Sequence, residues 1–188
     1  MEAILDATAS SIAQDGLAGM TMHGVAQRAK TSIGSLYHFF PDRASLLLGL
    51  VSRHDTAIAA INSEVMEVSA EVWQQLSAAD AINHLMTPYV DYVRAHPDYF
   101  LLMHDRRSLQ NEERFTEGLR RLVNARLPKI KPAARGRHTA MLYAIAVGIM
   151  RVAFDVEPKQ LGFYLRELPR VMSAYLADVE SEAGASKK

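Results

Sequence analysis

The sequence of 188 residues contains no cysteine. Disulfide frameworks, thiolate metal sites and cysteine nucleophiles are therefore excluded. Long apolar runs are also missing, because the longest, from Ala140 to Met150, falls well short of the roughly 20 residues that a membrane helix needs. The N-terminus lacks the basic head and apolar block of a signal peptide. These absences predict a soluble cytoplasmic protein with no membrane partner.

The sequence also lacks a net excess of either charge, since 21 basic residues balance 21 acidic ones. A neutral total does not by itself indicate binding to nucleic acid. The charges are unevenly distributed, however: residues 55–103 contain one basic residue against seven acidic ones, and residues 104–138 contain ten against four. The basic stretch is either an attraction site for an anionic effector or a set of paired and solvated side chains.

Helical periodicity runs through almost the whole chain, and no segment shows the sustained apolar and polar alternation of a strand. We therefore predict an all-α fold. A first helix carries an apolar stripe from Ile4 to Ala13, and Gly16 fits the position that follows a helix end. After the N-terminal helices, we expect helices at about Ser77–Ala95, Pro97–Ser108, Asn111–Leu127, Ala133–Asp155 and Pro158–Glu180.

Three short N-terminal helices, with a tight turn between the second and the third, form the pattern of a helix-turn-helix. Thr21 can cap the second helix and Ser32 the third, because each side chain can accept a backbone N–H. Pro41 ends the third helix, and Asp42 caps a long fourth helix. In a helix-turn-helix the third helix enters the major groove of DNA, and its N-terminal residues reach the base edges.

The third helix and its surroundings carry a more specific pattern. The sequence IGSLYHFFPDR over residues 33–43, followed by ASLL, closely resembles the TetR-family signature. Ile4-Leu5-Asp6-Ala7, Gly16, Thr21 and Val25-Ala26 also fall in the family's places. This resemblance covers about the first quarter of the chain. It implies a helix-turn-helix DNA-binding domain over 1–45, a larger helical effector-binding and dimerisation domain over 46–180, and a flexible tail over 181–188.

The resemblance and the side-chain chemistry together identify a candidate DNA-binding surface. Small residues at the start of the third helix let its backbone approach DNA closely, and hydroxyl groups there can bond to bases or phosphates. Relatives contact a phosphate from the position of Tyr37, whereas Leu36, Phe39 and Phe40 are expected in the core. The predicted DNA-binding residues are Thr21, His23, Lys30, Ser32, Ile33, Gly34, Ser35, Tyr37, His38 and Arg43.

Three features depart from the family pattern. Lys30 occupies the turn where relatives usually have glycine, which predicts a left-handed backbone at this residue. Ile33 is apolar at a frequent contact position, which favours contact with a thymine methyl group. A basic arm before the first helix is absent, so the salt-dependent contribution of phosphate contacts to affinity is expected to be modest.

In TetR-type proteins the last two helices pair with those of a second subunit. Small residues at four-residue spacing and a seam of apolar residues suit that role here. The alternative is that both stripes pack inside one subunit. The predicted homodimer residues are Ala140, Ala144, Gly148, Leu161, Leu165, Leu168, Met172 and Tyr175.

The family resemblance also implies an effector pocket among the middle helices. Methionine and aromatic residues make an adaptable apolar cavity, in which a few polar groups orient a ligand. The alternative is that these residues form plain core. The predicted lining residues are Met86, Tyr89, Val93, Phe100, Met103, His104, Met141 and Tyr143.

These observations favour a ligand-responsive transcriptional repressor that binds a palindromic operator in double-stranded DNA as a homodimer and is released by a small-molecule effector. An enzyme is disfavoured, because metal-binding spacings of Glu and His, Gly-rich phosphate loops and nucleophile elbows are missing. No cofactor or metal is expected. A helical adaptor that binds DNA or protein without sensing a small molecule is the remaining alternative.

Overall fold

The computed structural model describes residues 1–103 and 109–185, apart from the side chains of Met103 and Leu109. The regular secondary structure in these two ranges is helical, with turns between the helices and no strand, so the predicted all-α fold is confirmed. The helices are α1 (Glu2–Gly19), α2 (Met22–Arg28), α3 (Ile33–Phe39), α4 (Arg43–Glu67), α5 (Ala70–Gln75), α6 (Ala78–Ala95), α7 (Asp98–Met103), α8 (Leu109–Arg126), α9 (Pro132–Arg151) and α10 (Leu161–Ala185). A π-helical turn, Val152–Val156, and a 3-10 turn, Pro158–Gln160, join α9 to α10.

Two differences from the predicted helices affect the segment before α6 and the segment after residue 180. The short helix α5 was not predicted. Its six residues are too few to show a helical period in the sequence. Helix α10 continues to Ala185, so part of the predicted flexible tail is helical. Residues 186–188 lie outside the described part of the chain.

The chain folds into two compact units. The first consists of Met1–Ala59 and Asp91–Leu109, and the second of Ala60–Val90 and Gln110–Lys188. The first unit is therefore larger than the predicted N-terminal domain of residues 1–45. The reason lies in its core, where Leu46 and Leu50 of α4 and Leu102 of α7 are buried together with the apolar faces of α1, α2 and α3.

A buried polar cluster lies inside the first unit. The imidazole of His54 on α4 is fully buried, and its Nε2 lies 2.9 Å from a carboxylate oxygen of Asp98. Its Nδ1 lies 2.6 Å from the hydroxyl of Tyr92. Burial raises the pKa of Tyr92, which keeps this hydroxyl protonated, and burial lowers the pKa of the neighbouring His96. Both ring nitrogens of His54 are thus satisfied, and α4 is fixed to the residues that begin α7.

The core of the second unit surrounds Trp73, which is 1% exposed. Arg126 of α8 donates to the backbone carbonyls of Trp73 (2.7 Å) and Leu76 (2.5 Å) and forms an ion pair with Glu180 of α10. The carbonyls at the end of a helix have no partner within that helix. Arg126 therefore supplies the partners that α5 needs at its C-terminal end.

Two stretches, Arg43–Glu67 and Pro132–Val156, are long and apolar enough to cross a membrane when length and composition alone are considered. Core helices of soluble proteins pass the same test, so two such stretches are weak evidence for a membrane protein.

Candidate nucleic-acid interface

The second and third helices are held by the two predicted caps. The backbone N–H of Gly24 donates to the hydroxyl of Thr21 (3.1 Å), and that of Ser35 donates to the hydroxyl of Ser32 (3.0 Å). Each bond satisfies an N–H that a helix N-terminus otherwise leaves without a partner. The start of α3, where a reading helix would meet DNA, is therefore a regular capped terminus.

The turn between these helices has the predicted left-handed residue. Lys30 adopts φ 52°, and the N–H groups of Lys30 and Thr31 donate to the carbonyls of Gln27 (3.1 Å) and Ala26 (3.0 Å). Such hydrogen bonds end a helix in a tight turn. The lysine accepts a conformation that glycine adopts more easily, and it places an exposed cation beside α3.

Most of the predicted contact residues lie on exposed positions of α2, α3 and their caps. Ile33 is half-buried, so its side chain is only partly available for a methyl contact. Leu36 is fully buried and Phe40 is 7% exposed, which confirms their predicted place in the core. The exposed predicted residues of this surface are Thr21, His23, Lys30, Ser32, Gly34, Ser35, Tyr37, His38 and Arg43.

Phe39 does not lie in the core, so that prediction is wrong. Its side chain is 47% exposed, and its ring meets the ring of His38 edge-on at 5.3 Å between centroids. Tyr37 is exposed to a similar extent, at 44%. The exposed face of α3 is therefore more aromatic than the sequence indicated, with a phenol, an imidazole and a phenyl ring in succession.

The arginines in the described part of the first unit make contacts within the protein. Arg43 donates to the backbone carbonyl of Leu17, while its side chain remains exposed. Arg28, which the sequence did not single out, donates to Ser10 (2.9 Å) and Gln14 (2.6 Å) and pairs with Asp15 at 3.6 Å. Arg28 fixes α2 to α1, so it helps to position the helix-turn-helix that α2 and α3 form.

A second pairing reduces the free positive charge further. Arg53 of α4 pairs with Asp6 at 2.6 Å and with Glu2 at 3.8 Å. Lys30 forms no ion pair with any residue in the described ranges. These pairings leave fewer unpaired cations in the first unit for contacts with phosphate groups.

The predicted effector-pocket residues are divided between the two compact units. Val93 and Phe100 belong to the first unit, and Met86, Tyr89, Met141 and Tyr143 belong to the second. Met86 is buried at 3% exposure, whereas Met141 is 49% exposed. His104 and the side chain of Met103 lie outside the described residues.

Within the second unit, Tyr89 belongs to a polar and aromatic cluster. Its hydroxyl donates to the side-chain oxygen of Asn62 (2.7 Å), which is 1% exposed, and Asn62 in turn donates to Asn111 (3.4 Å). The rings of Tyr89 and Phe115 meet at 5.1 Å, and those of Phe115 and Tyr143 at 6.3 Å. Sequence reasoning missed both asparagines, because polar residues on a helix are usually solvated.

The predicted dimer residues divide into three groups by their exposure. Ala140, Ala144 and Gly148 are exposed along α9 at four-residue spacing. The side chains of Leu165, Leu168 and Met172 are at most 2% exposed, so they pack in the subunit's own core and not against a second subunit. Leu161 and Tyr175 are half-buried, and Tyr175 lies 2.7 Å from His138.

Two family models match the chain. The model of bacterial regulatory proteins of the tetR family matches residues 4–50, and a tetracyclin repressor-like C-terminal domain matches residues 77–176. The second match covers more than half of the chain. The first contains every residue of the predicted DNA-binding surface.

Curated relatives match over shorter stretches. The chain is 32% identical over 74 residues to the HTH-type transcriptional repressor KstR of Mycobacterium tuberculosis, which is 39% of this chain and 34% of that protein. It is 50% identical over 44 residues to the HTH-type transcriptional regulator BetI of Paraburkholderia phytofirmans, 23% of each chain. The match thus spans about a third or less of each relative.

Solved structures resemble the chain over nearly its whole length. A TetR-family transcriptional regulator from Streptomyces coelicolor has a TM-score of 0.54 and 22% identity, over 95% of this chain and 98% of that one. A protein from Rhodococcus sp. RHA1 has a TM-score of 0.61 and 20% identity, over 94% and 93%. At this identity the likeness shows the fold. The two family models, together with this fold and the helix-turn-helix geometry, establish that this chain belongs to the TetR family of bacterial regulatory proteins.

Proposed function

We propose that this protein is a transcriptional repressor that binds a pseudo-palindromic operator as a homodimer. The supporting observation is the capped helix α3, whose exposed side bears Ser35, Tyr37 and His38 while Leu36 fixes it to the core. Small and hydroxyl-bearing residues at such a helix start suit entry into the major groove and contact with base edges. The name of the KstR relative, a repressor, favours repression over activation. The protein acts in the cytoplasm and is not an enzyme.

We further propose that a small-molecule effector releases the operator. Helix α4 contributes residues to both compact units, since its first part belongs to one and its last part to the other. An effector that binds the second unit and favours one tilt of α4 would move the reading helices out of register. The release then follows from the difference in effector affinity between the two states.

DNA flanking the protein's own gene is the substrate for the first test. A salt titration of binding is expected to show sequence-selective, nanomolar affinity. Tyr37→Phe removes one hydroxyl from α3 without changing the ring. We expect affinity to fall by at least about tenfold, because a hydrogen bond to a charged group is worth roughly 1.5–3 kcal/mol. Tyr164→Phe, which removes the hydroxyl that donates to Glu157, is the matched control and should leave affinity unchanged.

A second variant tests the phosphate contribution. Lys30→Gly removes the exposed cation and places glycine at a left-handed position. We expect the protein to remain as stable as before, and the salt dependence of operator binding to weaken by about one phosphate contact. Weak binding that is equal on random DNA and unchanged in both variants would contradict the repressor proposal and favour a helical adaptor.

A further inference from the structure

A cleft on the second unit has a volume of about 570 Å³. This volume lies within the range of roughly 300–1,000 Å³ that small-molecule sites occupy. The lining comes from the C-terminal part of α4, the residues around α5 and the first half of α6. No residue of the predicted effector pocket lines it.

The cleft combines an apolar base with a polar edge. Val65 is buried, and Val68 and Leu76 are half-buried, so their side chains offer apolar surface to an occupant. Glu64 and Asp80 are exposed at the edge. An occupant that fits therefore has an apolar body and a polar end.

The charge of the lining is negative. Glu64 and Asp80 contribute two carboxylates, and the lining contains neither lysine nor arginine. Glu64 forms no ion pair within the described residues. Asp80 accepts a hydrogen bond from the hydroxyl of Ser77 (2.6 Å) and forms no ion pair with any residue that the structure describes. A positive group in the cleft would be attracted by both carboxylates.

The fluorescence of Trp73 can report binding in the cleft, because Trp73 contacts a lining residue. The ring of His84, one of the lining residues, meets the ring of Trp73 edge-on at 5.5 Å between centroids. Trp73 is the single tryptophan of the sequence, and it is buried in the core of the second unit. An occupant that displaces water from His84 or shifts its ring is therefore expected to change the emission of one defined fluorophore.

We propose that this cleft binds a small organic cation, an alkylammonium group carried by an apolar body. Glu64 and Asp80 attract the ammonium group, and the apolar body contacts Val65, Val68 and Leu76. The identification of this cation as the effector rests on the proposed function. The binding site itself is inferred from the lining of the cleft alone.

Three probes that share one apolar body but differ in charge distinguish the contribution of charge to binding from that of hydrophobic contact. The full-length protein is titrated with 4-phenylbutylamine, 4-phenylbutan-1-ol and 4-phenylbutyrate, with Trp73 emission and calorimetry as readouts. We expect saturable binding of the amine, binding of the alcohol that is about tenfold weaker, and no measurable binding of the carboxylate. Equal binding of all three probes, or failure of the amine to saturate, would overturn the proposal.

Charge-neutral variants locate the site. Glu64→Gln and Asp80→Asn should each weaken amine binding about threefold, and the double variant about tenfold, because partly exposed ion pairs contribute modestly. The backbone N–H of residue 80 donates to the Ser77 hydroxyl (3.1 Å), and Asp80→Asn leaves this cap of α6 in place. Glu67→Gln, on the same helix but outside the lining, is the matched control and should bind the amine as the wild type does. Equal effects of Glu64→Gln and Glu67→Gln would exclude the cleft.

The operator assay separates this proposal from the preceding one. A protein that binds its operator but not the amine would refute the cation site and leave the repressor standing. A protein that binds the amine through Glu64 and Asp80 but no operator would refute the repressor and leave the cation site standing.

Discussion

At the scale of single residues, Phe39 and Phe40 are neighbours in sequence but occupy opposite environments. Phe39 is the last residue of α3 and is 47% exposed, whereas Phe40 is 7% exposed. Phe40 has left the helix, with φ −134° and ψ 95°, and this extended backbone turns its ring into the core. Helical periodicity does not apply at a helix end, so the sequence pattern assigned both rings to the core.

This contrast predicts very different effects of truncation. Phe40→Ala should lower the free energy of unfolding by about 3–5 kcal/mol, because it removes a buried ring and leaves a cavity. Phe39→Ala should cost less than about 1 kcal/mol, since the ring is half in solvent. Urea unfolding of the two variants measures both values. Similar losses for the two variants would contradict the assignment of Phe39 to the surface.

The contacts of the arginines also could not be predicted from the sequence. Their charge was evident from the sequence, but their partners were not. Arg28 contacts Ser10 and Gln14 because α2 packs against α1. Arg53 contacts Asp6, which lies 47 positions earlier in the chain. Such pairs depend on tertiary structure, which periodicity does not report.

At the scale of helices and turns, local features were the most predictable. The caps at Thr21, Ser32 and Asp42 each receive an N–H from three residues further along, so the sequence contains both partners. The hydrogen bonds from Ser45 hold the pKa of Asp42 below its usual value. The left-handed turn at Lys30 was also evident, because the family pattern has glycine at that position. By contrast, His54 and Asp98 are 44 positions apart, and their contact follows only from the fold.

Two helical glycines provide a test of close packing by α4. A Cβ atom at Gly49 would lie 2.7 Å from a ring carbon of Phe40 and 3.4 Å from a methyl carbon of Leu5. Gly49→Ala should therefore destabilise the first unit by about 1–3 kcal/mol, because overpacking outweighs the gain in helix propensity. Thermal or urea unfolding would measure this loss.

Gly136 of α9 is the matched control, because a Cβ atom there has no neighbour within 4 Å. Gly136→Ala should leave stability unchanged or raise it by up to about 1 kcal/mol, through helix propensity alone. A stabilising effect of Gly49→Ala would show that α4 does not pack against Phe40 as described.

At the scale of the whole molecule, the sequence showed apolar stripes on the last two helices but not what each stripe contacts. A helix buries an apolar face equally well in its own subunit or against another. In α10 the face that includes Leu165, Leu168 and Met172 is used by the subunit's own core. The exposed faces of α9, of the π-helical turn that follows it and of α10 are available to a partner. They include Met141, Val152, Phe163 and Val171, which are 38–49% exposed.

The exposed small residues of α9 predict where a second subunit binds. A Cβ atom at Gly148 has no neighbour within 4 Å in the subunit, and Ala140 and Ala144 are exposed on the same row. Small residues let two helices approach closely, so a large charged side chain in this row should prevent association without disturbing the subunit's core. We expect Ala144→Arg to convert a dimer into a monomer in light scattering, with an unchanged helical spectrum. The operator affinity should fall at the same time, because two reading heads bind a palindromic site together. Ala79→Arg places the same charge on an exposed alanine of α6 and should leave the protein dimeric. If Ala144→Arg stays dimeric, the subunits associate through another surface.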